Sequence, residues 1–154
     1  MNNHVAKKAD VGRFASLLAS GECPRPLYDK ILFETQGCVI TPTLGSIIPD
    51  WILIIPRTPV LNFAHWQAMN GILPSELVQN ILAKRCIKLN RAIWFEHGPS
   101  GAGTSVGCGI DQAHLHVIID PPFSFPTFIS SAMRSSELEW RKKTAAEAHR
   151  SIEP

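Results

Sequence analysis

Ile110-Asp111-Gln112-Ala113-His114-Leu115-His116-Val117-Ile118-Ile119-Asp120 sets two imidazoles on alternate positions of an otherwise largely apolar segment. Strand side chains alternate between faces, so Gln112, His114, His116 and Ile118 fall on one side and Ala113, Leu115, Val117 and Ile119 on the other. The second set is wholly apolar and reads as the core face of a strand from Gln112 to Ile119. Same-face neighbours lie roughly 6.5 Å apart at about 3.3 Å of rise per residue. Both imidazoles can therefore reach one phosphoryl group or one metal ion.

The segment just ahead, "GPSGAGTSVGCG" from Gly98 to Gly109, sets Ser100, Thr104 and Ser105 among five glycines. Its backbone N–H groups and hydroxyls suit an oxyanion, although it lacks the GK[ST] ending of a P-loop. An HxH pair is equally a two-ligand unit for zinc, with His97 or Cys108 as the third donor. Spacing alone does not separate phosphoryl transfer from metal binding.

Moving outward, Asp10 precedes an apolar pattern at Val11, Phe14, Leu17 and Leu18 that predicts a helix over 10–20, stopped at Gly21. From Asp29 the pattern becomes that of strands: "KILFET", a turn at Gln36-Gly37, "CVITP", a loop around Gly45, and "DWILIIP". These form a meander, hence an antiparallel sheet. "VLNFAHWQAM" reads as a short helix. Beyond Pro74, Leu77, Val78, Ile81, Leu82, Arg85 and Leu89 form a helical stripe able to cover one sheet face. "AIWFEHG" reads as a further strand, and Ser136 with Glu139 as a capping box opening a helical tail over 136–150. The expectation is a single α+β domain over 1–154, its core at about 28–120, built on about five antiparallel strands with packed helices.

Composition narrows the function classes. A net charge of +2 over 154 residues offers no basic face for nucleic acid. No stretch approaches the roughly 20 apolar residues of a spanning helix, and the N-terminus does not read as a signal peptide. Cys23, Cys38, Cys86 and Cys108 are too scattered for a disulfide scaffold, so a cytoplasmic location with thiols in the core is expected. Met69 and the four tryptophans read as core or interface, and His65 as a helix-surface residue.

The stretch "FEHGPSGAGTSVGCGIDQAHLHVI", preceded by "ILFETQGCVITPTLGSIIPDWILIIPR", resembles the histidine triad (HIT) superfamily of nucleotide hydrolases and transferases, in particular a bacterial, diadenosine polyphosphate hydrolase-like branch. The resemblance runs from about Tyr28 to Ile119. It implies a HIT-like fold, a homodimer, a pocket for a nucleoside phosphate with a purine base expected, and no cofactor or metal. It also implies attack by a histidine on the α-phosphorus, giving a nucleotidyl-histidine intermediate. His114 takes the place of the nucleophile and His116 that of the last histidine, which holds phosphate oxygens. Gln112 stands where the triad has its first histidine; an amide forms hydrogen bonds but carries no proton at neutral pH. His97, Gly98, Ser100, Thr104, Ser105 and Gly107 are implied as phosphate contacts, with Trp51 and Thr43 beside the nucleoside. Trp51 and Pro59 occupy positions where the family commonly has histidines, while Arg57 keeps a lysine's charge. The alternatives are a nucleotide-binding or regulatory relative with weakened catalysis, and an HxH metal enzyme using His114, His116 and His97.

Overall fold

Gln36 and Gly37 both adopt positive φ, 50° and 71°, the geometry of a two-residue hairpin turn. They join β1 (Phe33–Thr35) to β2 (Cys38–Pro42), with Thr35 opposite Cys38. The computed structural model describes residues 12–19, 29–44, 46–96, 98–99, 101–103 and 110–135. Its remaining strands are β3 (Trp51–Pro56), β4 (Ala92–Phe95) and β5 (Leu115–Ile119). All pair antiparallel in the order β1-β2-β3-β5-β4. The helices are α1 (Ala15–Leu18), α2 (Phe63–Asn70), α3 (Pro74–Ala83) and α4 (Phe125–Ser135). The fold is thus α+β on a five-stranded antiparallel sheet.

The alternation of β5 divides two cores. Ala113, Leu115, Val117 and Ile119 join Cys38, Ile40, Ile52 and Ile54 beneath Phe63 and Trp66 of α2 and Leu77, Val78, Ile81 and Leu82 of α3. On the opposite side, Phe14 and Leu17 pack on Leu53 and Ile55. Full burial of a Leu or Phe is worth roughly 1.5–3 kcal/mol. Two such side chains can hold the single helical turn of α1, which would not persist alone.

Several boundaries differ from the sequence reading. The histidine strand begins at Leu115 rather than Gln112, because the pairing with β3 ends at Ile54 opposite Leu115. Ahead of it the chain leaves the ladder, and the Ala113 amide donates instead to the Val60 carbonyl at 2.6 Å. β1 begins at Phe33 and β4 ends at Phe95, both shorter than expected. Among the described residues, the N-terminal helix is a 3-10 turn, Gly12–Phe14, leading into α1. The long helix stops at Ala83, followed by a left-handed Cys86 (φ 57°) and a 3-10 turn at Leu89–Arg91. Cys86 is exposed, against the expectation of a core thiol, whereas Cys38 is buried and burial pushes its thiol up to about 12. Met69 is 64% exposed, which removes it from the core. Helix α4 was not anticipated: Ser124 Oγ accepts from the Thr127 amide at its start and Arg134 lies in its last turn. The tail helix over 136–150 and the cysteines at 23 and 108 lie outside the described residues.

Candidate functional site

His116 stands on β5 between two strands, opposite Leu53 of β3 and Phe95 of β4. Phe95 lies parallel to its ring, with centroids 4.8 Å apart and planes within 7°. Trp51 meets it edge-on at 5.7 Å, and the indole Nε1–H donates to His116 Nδ1 at 3.1 Å. Because Nδ1 accepts, a neutral His116 carries its proton on Nε2.

His114 takes the opposite tautomer. Its Nδ1 lies 2.9 Å from the Gln112 carbonyl oxygen, which can only accept, so Nδ1 holds the proton and Nε2 keeps a lone pair. Gln112 supplies this partner through its main chain. The ring is 5% exposed, with the edge of Phe14 at 5.2 Å and His116 at 5.1 Å. A nitrogen lone pair beside an N–H donor, both held by fixed partners, can attack an electrophilic phosphorus and bind one of its oxygens.

The Gln112 side chain turns elsewhere. It is 1% exposed and its Nε2 donates to the Pro56 carbonyl at 2.9 Å. Its Oε1 is buried with no partner among the described residues. Thr43 lines a cleft of about 580 Å³ at the β2–β3 turn together with Pro42, Ile47, Ile48, Trp51 and Arg85. Thr43 Oγ1 is likewise buried without a partner among the described residues, while Thr41 donates to the Lys30 carbonyl. Trp51 therefore borders both the cleft and the imidazole pair.

Gly98 packs against the start of α2: a Cβ there would lie 2.9 Å from Asn62 Cβ and from Glu96 Oε1. Asn62 caps α2 by accepting from the His65 amide and donates to the Pro99 carbonyl at 2.9 Å. Glu96 accepts from the Phe63 amide at 2.8 Å; burial raises its carboxyl to about 7, a rise that this hydrogen bond partly opposes. Farther along, both Asp111 oxygens accept from the Gly103 amide at 3.1 Å. The glycine-rich loop is thus tied down at Pro99 and at Gly103. His97, Ser100, Thr104, Ser105 and Gly107 lie outside the described residues. Among the described residues, no group of three or more His, Cys, Asp or Glu is placed to hold a metal ion, and no helix is long and apolar enough to cross a membrane.

No protein-family model matches the chain, and no curated protein matches it. Solved structures do. One described as a Hit-like protein shares 20% identity at a TM-score of 0.42, covering 69% of this chain and 95% of its own. A HIT family hydrolase from Clostridium thermocellum shares 16% identity at a TM-score of 0.42, covering 58% of this chain and 77% of its own.

Sequence reasoning placed His114, His116 and Trp51 near one another, but it did not find Phe14 or Phe95. Both are contacts between segments distant in sequence. Phe95 had one available signal: as the strand residue just before the Glu96-His97-Gly98 run, it falls on the face opposite Trp94, and Trp94 packs with the α2–α3 core. Arg57, which keeps a lysine's charge, is held in a two-point ion pair with Glu34 and also donates to the Leu18 carbonyl.

Proposed function

We propose that this chain is a HIT-type nucleotidyl hydrolase or transferase acting on nucleoside phosphoanhydrides or phosphoramidates, dinucleoside polyphosphates among them. One observation carries the reading: two adjacent imidazoles hold opposite tautomers, each fixed by its own partner, Gln112 O for His114 and Trp51 Nε1–H for His116. His114 Nε2 attacks the α-phosphorus, and a P–N bond forms as the bond to the leaving group breaks with its electron pair. The Nε2–H of His116 donates to a non-bridging oxygen as charge develops there. Water or another acceptor then displaces His114 from phosphorus and gives up a proton. The buried setting favours this chemistry, because hydrogen bonds to a developing charge strengthen where water is excluded.

The nucleoside is assigned to the cleft beside Trp51, which Thr43 also lines, and the loop from Gly98 to Gly107 to the phosphate. His97, Ser100, Thr104 and Ser105 belong to the same proposal. The working unit is proposed to be a cytoplasmic homodimer that needs neither metal nor nucleic acid. In the test, turnover of diadenosine polyphosphates and adenosine phosphoramidate is compared between wild type and His114→Ala. A loss of roughly a thousandfold or more is expected; unchanged turnover would remove His114 as nucleophile.

A second reading is a nucleotide-binding protein with weakened catalysis. It is favoured by the Gln112 side chain, whose amide donates to Pro56 and has no titratable proton to transfer. Tight AMP or GMP binding by calorimetry, without any covalent adduct on His114, would decide for it.

A further inference from the structure

We infer that Trp51 is a positioning residue whose indole N–H fixes which nitrogen of His116 carries the proton, and so makes His116 a neutral Nε2–H donor toward phosphate. The inference rests on the nucleotidyl-transfer reading above and goes beyond it in assigning a role to a residue outside the histidine segment.

Three rings form a frame. Phe95 lies flat against His116 at 4.8 Å and sets the plane of the imidazole. Trp51 stands edge-on to both, at 5.7 Å from His116 and 6.2 Å from Phe95, and sets the rotation of the imidazole within that plane. The hydrogen bond of 3.1 Å from Trp51 Nε1 to His116 Nδ1 adds what stacking cannot, a direction. An indole nitrogen donates and never accepts. A histidine, glutamine or serine in its place could reverse the bond and allow either tautomer, but tryptophan allows one. A second proton on His116 would set an Nδ1–H against the indole N–H, two donors face to face, so the same contact also holds the ring neutral.

The consequence falls on His114, 5.1 Å away. Beside a fixed neutral ring the nucleophile keeps its lone pair, and the two imidazoles divide the work of attack and oxyanion binding without exchanging protonation states. A donor bond that strengthens as charge develops acts mainly on kcat rather than on substrate binding. Trp51→Phe keeps an aromatic ring against Phe95 and removes the indole N–H together with one of the two fused rings.

The test uses the full chain labelled with nitrogen-15 in histidine. Two-bond nitrogen–proton correlations distinguish Nδ1–H from Nε2–H for each imidazole. Wild type is expected to show His116 as the single Nε2–H tautomer and His114 as Nδ1–H, and Trp51→Phe to show His116 as a mixture. Kinetically, Trp51→Phe is expected to lower kcat by up to roughly tenfold, the worth of one net hydrogen bond; a change in KM reports on the nucleoside cleft that Trp51 also lines. A wild-type His116 already mixed or protonated on Nδ1 overturns the inference, whether or not the variant folds. A variant whose His116 stays purely Nε2–H with unchanged kcat overturns it as well. The spectrum does not depend on turnover, so an inactive protein with the expected tautomers contradicts the nucleotidyl-transfer reading and leaves the Trp51 assignment standing.

Discussion

On the proposed chemistry, the choice of leaving group turns on Gln112. Its amide donates to Pro56 O, and its buried Oε1 has no partner among the described residues. An acceptor left so costs about 1–3 kcal/mol. What the amide cannot do is hand a proton to a leaving group. A phosphate or polyphosphate departs as an anion and needs none, whereas an amine does. The protein is therefore expected to turn over dinucleoside polyphosphates faster than phosphoramidates. Replacing Gln112 by histidine adds a protonatable group, and general acid catalysis contributes typically 10²–10⁴-fold. Gln112→His should raise kcat for adenosine phosphoramidate by about tenfold or more while changing the polyphosphate rate by less than about threefold, each measured as initial velocity at saturating substrate. Equal changes on both substrates would separate Gln112 from leaving-group protonation.

At the scale of elements, the glycine-rich loop is attached through the start of α2. Asn62 and Glu96 satisfy the first amides of α2, and Asn62 also holds Pro99. The Glu96 carboxyl is raised by burial from an ordinary 4.5 to about 7. A carboxyl raised on folding binds its proton more tightly in the folded state. Its contribution to stability is fully present below the unfolded value and is lost as pH rises through about 7. Urea midpoints should therefore fall between about pH 4.5 and pH 7 and level off above, in the direction set by that shift. Glu96→Gln keeps an acceptor for Phe63 N–H and should flatten this slope; an unchanged slope would place its origin elsewhere.

The same scale explains what was readable in the sequence. The two faces of β5 followed from a period of two, and the Gln36-Gly37 turn from a glycine that tolerates positive φ. Both are local rules. The end of α3 was not legible, because an apolar stripe continues through Arg85 and Leu89 while the backbone turns at Cys86. Helix α4 was not anticipated, and its Phe128 packs on Phe95 and Phe123. The tautomers of His114 and His116 depend on Gln112 O and on Trp51, and the second of these lies 65 residues away. No periodicity encodes such a contact.

At the scale of the whole molecule, one sheet serves two purposes. Its far face rests on α2 and α3 through aliphatic side chains that need only fill space. Its near face carries the imidazoles, and Phe14 and Leu17 close one part of it. Ser16 Oγ donates to the buried Asp29, joining α1 to the chain just ahead of β1. The stable face thus lets the other hold polar groups in fixed geometry, which is what nucleophilic chemistry at phosphorus requires.

The proposed chemistry would leave a covalent trace. The protein is mixed with a diadenosine polyphosphate, quenched in denaturant at alkaline pH where a P–N bond survives, and weighed intact, with peptide mapping of the modified residue. The account predicts a population heavier by one adenylyl group attached to His114, present in wild type and absent from His114→Ala. Turnover of the same substrate with no adduct at any time of quenching, or with an adduct that persists in His114→Ala, would contradict it.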